Sequence, residues 1–193
     1  PSIGSLELNS DTKTYCAEYQ CEVEGVQDVD DDPKVITYQW LVNGDVQAIA
    51  ENSPTFSSNE LAPGDTVRCR AKPWDGAIDG ETLERIYGES LESGSITVVN
   101  TPPNLDGVEL NPAGATPDAI MNCQPVGFSD AECSPEPSYS YRWYINGVES
   151  WNDSESLHLP LVEAVATTRV RCEVIPSDGW VEGEPVLSQE RVI

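Results

Sequence analysis

Basic residues are scarce in this 193-residue chain: 10 Lys+Arg stand against 34 Asp+Glu, and the formal net charge is -24. A surface without a basic patch cannot gather the phosphate contacts that supply most of the affinity for nucleic acid, so that class of partner is excluded. An anionic membrane surface repels the chain for the same reason, and no run of 18 apolar residues is present to enter a bilayer. Histidine is nearly absent. His158 is the only one, so a His-rich metal site or a Cys/His dyad has no material. In Leu157-His-Leu159 alternation turns that imidazole outward between two inward Leu. No C-x-x-C pair occurs, so the six Cys read as disulfides of an oxidising compartment rather than zinc ligands. Glycine-rich phosphate loops, strand-helix units and helical periodicity are missing too. Carboxylates are plentiful, but acid-base catalysis needs a cleft with raised pKa values, so no enzyme is expected. Pro1 is not an initiator Met and no apolar h-region follows it, so the chain reads as a processed or excised piece.

What the chain does contain is a repeat. A shift of 102 residues superposes Pro1-Ser-Ile-Gly-Ser-Leu-Glu-Leu-Asn9 on Pro103-Asn-Leu-Asp-Gly-Val-Glu-Leu-Asn111, and matches Cys21 to Cys123, Gly25 to Gly127 and Asp28 to Asp130. One inserted residue later the shift becomes 103. It then matches Tyr38-x-Trp40-x-x-Asn43-Gly44 to Tyr141-x-Trp143-x-x-Asn146-Gly147 and Val67-Arg-Cys69 to Val170-Arg-Cys172. The match runs on through Pro73-x-Asp75-Gly76 and Pro176-x-Asp178-Gly179 to Gly80-Glu81 and Gly183-Glu184.

Within each repeat, short alternating runs are separated by turn signals, the pattern of an all-β sandwich. In Val35-Ile-Thr-Tyr-Gln-Trp-Leu-Val42 one face holds Tyr38, Trp40 and Val42, and Asn43-Gly44 supplies a positive-φ turn. In Thr66-Val-Arg-Cys-Arg-Ala71, Val67, Cys69 and Ala71 point inward and both Arg outward. Trp40 follows Cys21 by 19 residues and Trp143 follows Cys123 by 20, while the next Cys lies 29 residues on in both repeats. That Cys, Trp, Cys order is the signature of an immunoglobulin-like (Ig-like) sandwich, whose strands B and F are tied across the core with the strand C Trp packed on the bridge. The assignment is Cys21 to Cys69 and Cys123 to Cys172, with core Trp40 and Trp143. Domain 1 spans residues 1–100, a Pro-Pro joint residues 101–103, and domain 2 residues 104–193.

The joint Asn100-Thr-Pro-Pro103, the Tyr-x-Trp-x-x-Asn-Gly and Val-x-Cys-x-x-x-Pro-x-Asp-Gly motifs and the acidic stretch before strand C together resemble the tandem Ig-like repeats of large bacterial and archaeal surface proteins. The resemblance covers essentially the whole chain. It implies secreted, multi-repeat, non-catalytic proteins that serve as stalks, adhesins or surface filaments. Two departures stand out: repeat 2 lacks the acidic cluster of repeat 1, and each repeat carries one extra Cys. Pro1 aligns with a residue just after a joint and the chain stops at Val192-Ile193, so it reads as one unit in phase with a longer array.

Three groups of residues are candidates for chemistry. Cys16 falls at the start of strand B, at the C-terminal pole of domain 1, and Cys133 in the B-C loop at the N-terminal pole of domain 2. A bridge between the two would lock the joint; pairing between chains and free or otherwise paired thiols are the alternatives. Asp28, Asp30, Asp31, Asp32, Asp75 and Asp79, from the B-C loop and an F-G turn read at 73–80, could converge on Ca2+, which takes six to eight oxygens. The alternative is a solvated acidic loop. The set in domain 2, Asp130, Glu132, Asp178 and Glu182, is thinner. Trp74 and Trp180 in the F-G turns and Trp151 after strand C are either a sugar-binding platform or packing against a neighbouring domain. Asn152-Asp-Ser154 is a formal N-glycosylation acceptor.

The resulting expectation is an extracellular, non-enzymatic structural module, the repeating unit of a surface filament or adhesin stalk. Its partners are neighbouring Ig-like repeats or identical subunits, and it needs no cofactor other than Ca2+ at the acidic loops. A ligand-binding adhesin domain for glycan or protein, using the pole loops, is the alternative. A third reading, a spacer of a secreted hydrolase, differs only in what lies outside this chain.

Overall fold

Strands form where the sequence alternates, because a period of two sends successive side chains to opposite faces. Val67, Cys69, Ala71 and Trp40 are fully buried, and Tyr38 and Val42 pack against the same core. The structure is a computed structural model that describes residues 1–29, 34–78, 85–132 and 136–193. These form two compact units, Pro1–Asn100 and Thr101–Ile193.

Unit 1 contains β1 (Ser5–Ser10), β2 (Tyr19–Glu24), β3 (Val35–Val42), β4 (Asp45–Gln47), β5 (Thr55–Phe56), β6 (Thr66–Ile78), β7 (Arg85–Tyr87), β8 (Leu91–Glu92) and β9 (Ile96–Thr97). One sheet has the order β1-β2-β5. The other runs β4-β3-β6, with β7, β8 and β9 each pairing β6. Unit 2 repeats the plan with β10 (Gly107–Asn111), β11 (Ile120–Val126), β12 (Ser138–Ile145), β13 (Val148–Glu149), β14 (Ser156–His158), β15 (Arg169–Ser177), β16 (Val186–Leu187) and β17 (Arg191–Val192). Its sheets are β10-β11-β14 and β13-β12-β15 with β16 and β17 on β15. In Ig-like terms each unit packs an A-B-E sheet on a C'-C-F-G sheet.

Cys21 on β2 is bonded to Cys69 on β6, and Cys123 on β11 to Cys172 on β15, with Cα separations of 6.1 and 6.2 Å. Trp40 lies opposite Cys69 in the strand register and Trp143 opposite Cys172. Both rings are 0% exposed. A buried indole N–H needs an acceptor; Trp40 donates to Ser53 O at 3.0 Å and Trp143 to Ser154 O at 2.8 Å. The chain is therefore all-β, with two Ig-like sandwiches that each carry a B-F disulfide and a strand C Trp. Their cores differ in detail. Trp40 stacks on Phe56 with ring centroids 5.3 Å apart, whereas unit 2 places Leu157 on the strand corresponding to β5. Tyr19 donates its buried hydroxyl to Thr14 O at 2.9 Å; Met121, its counterpart, has none to satisfy.

The Asn-Gly turns do more than reverse the chain. Asn43 and Gly44 have φ of 52° and 91°, Asn146 and Gly147 of 50° and 82°. Each Asn also holds the first residue of strand F. Its Oδ1 accepts the N–H of Thr66 or Arg169 at 2.9 Å, and its own N–H donates to the carbonyl of that residue at 2.9 or 2.8 Å. Asn146→Ala loses one hydrogen bond and puts a Cβ with no local polar partner in the left-handed region. The expected cost is about 2 kcal/mol in the urea transition of unit 2, of which Asn146→Gly recovers roughly half.

The repeat departs from the sequence match in the F-G connection. Gly183 donates its N–H to Pro176 O at 2.8 Å, and the same bond to the matching Pro73 is made by Gly88 at 2.9 Å. Gly80 and Glu81, matched in sequence, lie outside the described residues. A Cβ on Gly88 would overlap the carbonyl oxygen of Pro1, and one on Gly183 that of Pro103, so both positions require glycine. Downstream contacts agree: Ser93 and Ser188 each accept the N–H of the strand F Cys through Oγ, at 3.0 and 3.1 Å. Gly88 follows Pro73 by fifteen positions and Gly183 follows Pro176 by seven, so unit 1 carries eight extra residues here. The expected F-G turn at 73–80 is thus corrected. Strand β6 continues to Ile78, Trp74 pairs with Tyr87, and Ile78 pairs with Arg85.

Candidate functional site

Only part of each acidic cluster falls among the described residues. Asp30, Asp31, Asp32 and Asp79 lie outside the described residues. Asp75 belongs to β6 rather than to a turn, and Asp28 accepts the N–H of Val29 at 2.7 Å. In unit 2 Asp178 is buried, and its Oδ1 accepts the N–H groups of Trp180 at 2.7 Å and Val181 at 2.9 Å. This carboxylate staples the turn that Gly179 makes at φ 91°. Among the described residues, no three His, Cys, Asp or Glu gather as a metal would require.

Glu132 is the unusual carboxyl. It is buried, and both its oxygens face the Thr101 hydroxyl, at 2.8 and 3.1 Å. Burial and then the neighbouring Asp130 push its pKa up, against the Thr101 hydrogen bond that lowers it. A raised folded-state pKa means that unit 2 gains stability as pH falls from neutral toward the ordinary glutamate range and loses it as pH rises through the folded value. Glu132→Gln, which imitates the protonated form, should raise the melting temperature at neutral pH and flatten its rise on mild acidification.

Trp74 is half-buried on β6 and packs on Tyr87, with ring centroids 6.4 Å apart and a tilt of 47°. Trp151, just beyond β13, is 77% exposed, and Trp180, in the β15-β16 turn, is 54% exposed. Asn152 accepts the N–H of Ser154 at 2.8 Å and donates Nδ2, the nitrogen a glycan would take, to Ser156 O at 3.1 Å. His158 is exposed between buried Leu157 and Leu159. Cys16 is disulfide-bonded, with Sγ 3.9 Å from the Thr14 hydroxyl, and Thr14 forms a bridge with Val99. Cys133 lies outside the described residues.

A feature that sequence reasoning did not single out is the outer face of the C'-C-F-G sheet of unit 1. There a groove of about 370 Å³ is lined by Gln39, Asn52, Arg70, Lys72, Tyr87 and Ser90, with Thr37 and Glu51 beside them. Arg70 donates Nε to Glu92 at 3.0 Å and Nη1 to Gln39 at 3.3 Å, so the floor is fixed by its own hydrogen bonds. Lys72 Nζ stands 4.4 Å from the centre of the Tyr87 ring. Only the alternation around Cys69 hinted at this face, by turning Arg70 outward; Tyr87 reaches it through the inserted hairpin.

No protein-family profile matches the chain, and neither does any curated protein. Among solved structures, the three N-terminal domains of the highly immunogenic outer capsid protein (Hoc) of bacteriophage RB49 align with 97% of this chain at 12% identity and a TM-score of 0.38. The alignment takes in 58% of that structure. The Ig-like assignment rests on the strand order, the two disulfides and the two buried Trp.

Proposed function

We propose that this chain is a non-enzymatic extracellular structural module, a repeating unit of a surface filament or adhesin stalk. The observation that carries the reading is the covalent clamp made twice in register: a buried cystine between the two sheets, covered by a fully buried Trp. Such clamps form and persist in oxidising compartments, and they limit how far a domain can be drawn out under load. Repetition supplies length, and a charge of -24 keeps neighbouring fibres apart. The partners in this reading are further Ig-like repeats or identical subunits. Calcium at the B-C loop of unit 1 would relieve carboxylate repulsion there and stiffen the pole.

The joint is part of the same proposal. A Cys16 to Cys133 bond would fix the joint covalently, and pairing between chains is the alternative. Non-reducing peptide mapping should recover the two peptides linked within one chain; a Cys16 peptide linked to another chain would instead make the protein the monomer of a covalent polymer. The function itself is tested by immunogold labelling of intact source cells with antibody against this chain. Label along projections from the envelope is expected, and label confined to a soluble secreted hydrolase would overturn the reading.

A further inference from the structure

The two units share their core motifs, yet the groove on the outer sheet face is chemically distinct in unit 1. Lys72, Trp74 and Tyr87 correspond in unit 2 to Ile175, Ser177 and Glu182, and the pair Trp74 with Tyr87 corresponds to the bridge between Ser177 and Glu182. All three differ at matched positions, and pairing of β7 with β6 puts Tyr87 opposite Trp74. An insertion confined to one repeat and opening onto one face is where repeat proteins place binding.

We infer that this groove binds a neutral saccharide chain, which packs C–H groups against the solvent-exposed part of Tyr87 and hydrogen-bonds to Gln39, Asn52, Lys72 and Ser90. The chemistry favours a sugar over a protein partner. A protein hot spot needs an apolar, desolvated centre, whereas here planar amides, a guanidinium and a carboxylate surround one aromatic ring. Such groups donate to and accept from hydroxyls, and the exposed part of the ring offers apolar contact to C–H groups. Tyr87 keeps 42% of its surface in solvent, and Trp74 backs it. The charge argument selects a neutral chain. Arg70 is offset by Glu92, Glu51 lines the same groove as Lys72, and the whole molecule at -24 repels polyanions. This inference concerns binding and stands whether or not the chain belongs to a filament.

The test titrates the intact two-unit chain with cellohexaose, maltohexaose, mannohexaose and chitohexaose, and with a galacturonic acid hexamer. Backbone amide shifts are followed by NMR, and affinities by calorimetry. At least one neutral hexaose should shift Gln39, Asn52, Lys72 and Ser90 and leave unit 2 unmoved. Tyr87→Ala should weaken that binding about tenfold, the scale of one lost aromatic contact. Tyr87→Phe should retain it, and Tyr144→Phe on the corresponding sheet of unit 2 should leave it unchanged. Gln39→Ala gives a second probe that leaves the aromatic pair in place. Binding to none of the neutral hexaoses, to the acidic hexamer alone, or with shifts centred on Trp151 or Trp180 would overturn the inference.

Discussion

Removing the Cys123–Cys172 bond is expected to cost unit 2 about 4 kcal/mol, the chain-entropy value for a loop closed across a separation of 49 residues. Cys123→Ala with Cys172→Ala is the cleanest variant, because a single substitution would leave a reactive thiol in the core. Both sulfurs are fully buried, so their loss also leaves unfilled volume, and the entropic figure is not the whole effect. Stabilities of natural domains lie at about 5–15 kcal/mol, so unit 2 would be left marginal or unfolded at ambient temperature. Urea denaturation followed by Trp fluorescence should show the unit 2 transition moving to low denaturant while that of unit 1 stays in place. A shift worth less than about 1 kcal/mol would contradict the view that the bond is what secures the sandwich.

The second large effect belongs to the strand C tryptophans. Truncation of a fully buried Trp to Ala costs roughly 3–5 kcal/mol through lost apolar burial and the cavity left behind. Here it also orphans a carbonyl, Ser53 O in unit 1 or Ser154 O in unit 2. The two units should not respond equally. Trp40 stacks on Phe56 with planes 20° apart, an arrangement worth about 1 kcal/mol beyond area, and Leu157 cannot supply it. Trp40→Ala should therefore cost more than Trp143→Ala by about that amount. Phe56→Leu in the parent should narrow the gap between the two measured losses, and an unchanged gap would place the asymmetry elsewhere in the core.

The parts of this fold that could be read from sequence are those encoded by rare residues and by a short period. Cys and Trp recur in register, and alternation around Cys69 and Trp40 assigned faces correctly because one face of each strand is buried. The Asn-Gly pairs announced their turns, but the grip of Asn43 and Asn146 on the first residue of strand F could not be seen, because it joins segments 23 residues apart. The F-G connection misled for a related reason. Asp-Gly is a strong turn signal in both repeats, and Gly-Glu occurs at 80–81 as well as at 88–89 in unit 1. Nothing local says which glycine meets the carbonyl of Pro73; the close approach that excludes a side chain at Gly88 is a tertiary fact. The same error hid the groove, since Tyr87 has no neighbour relation to Lys72 until the hairpin register is known. Asp178 looked like a ligand because a carboxylate in a turn has two uses, and here both N–H groups it accepts belong to its own turn.

The mechanical claim is tested most directly by stretching single molecules of the chain between its ends, first oxidised and then in reductant. With the disulfides intact, the residues between Cys21 and Cys69 and between Cys123 and Cys172 cannot extend. With Cys16→Ser and Cys133→Ser, so that only the two in-unit bonds remain, the account predicts two unfolding events, each lengthened on reduction by about 170 Å, from separations of 48 and 49 residues at roughly 3.5 Å each. Extension increments that are the same before and after reduction, or extension without resolvable unfolding events, would contradict it.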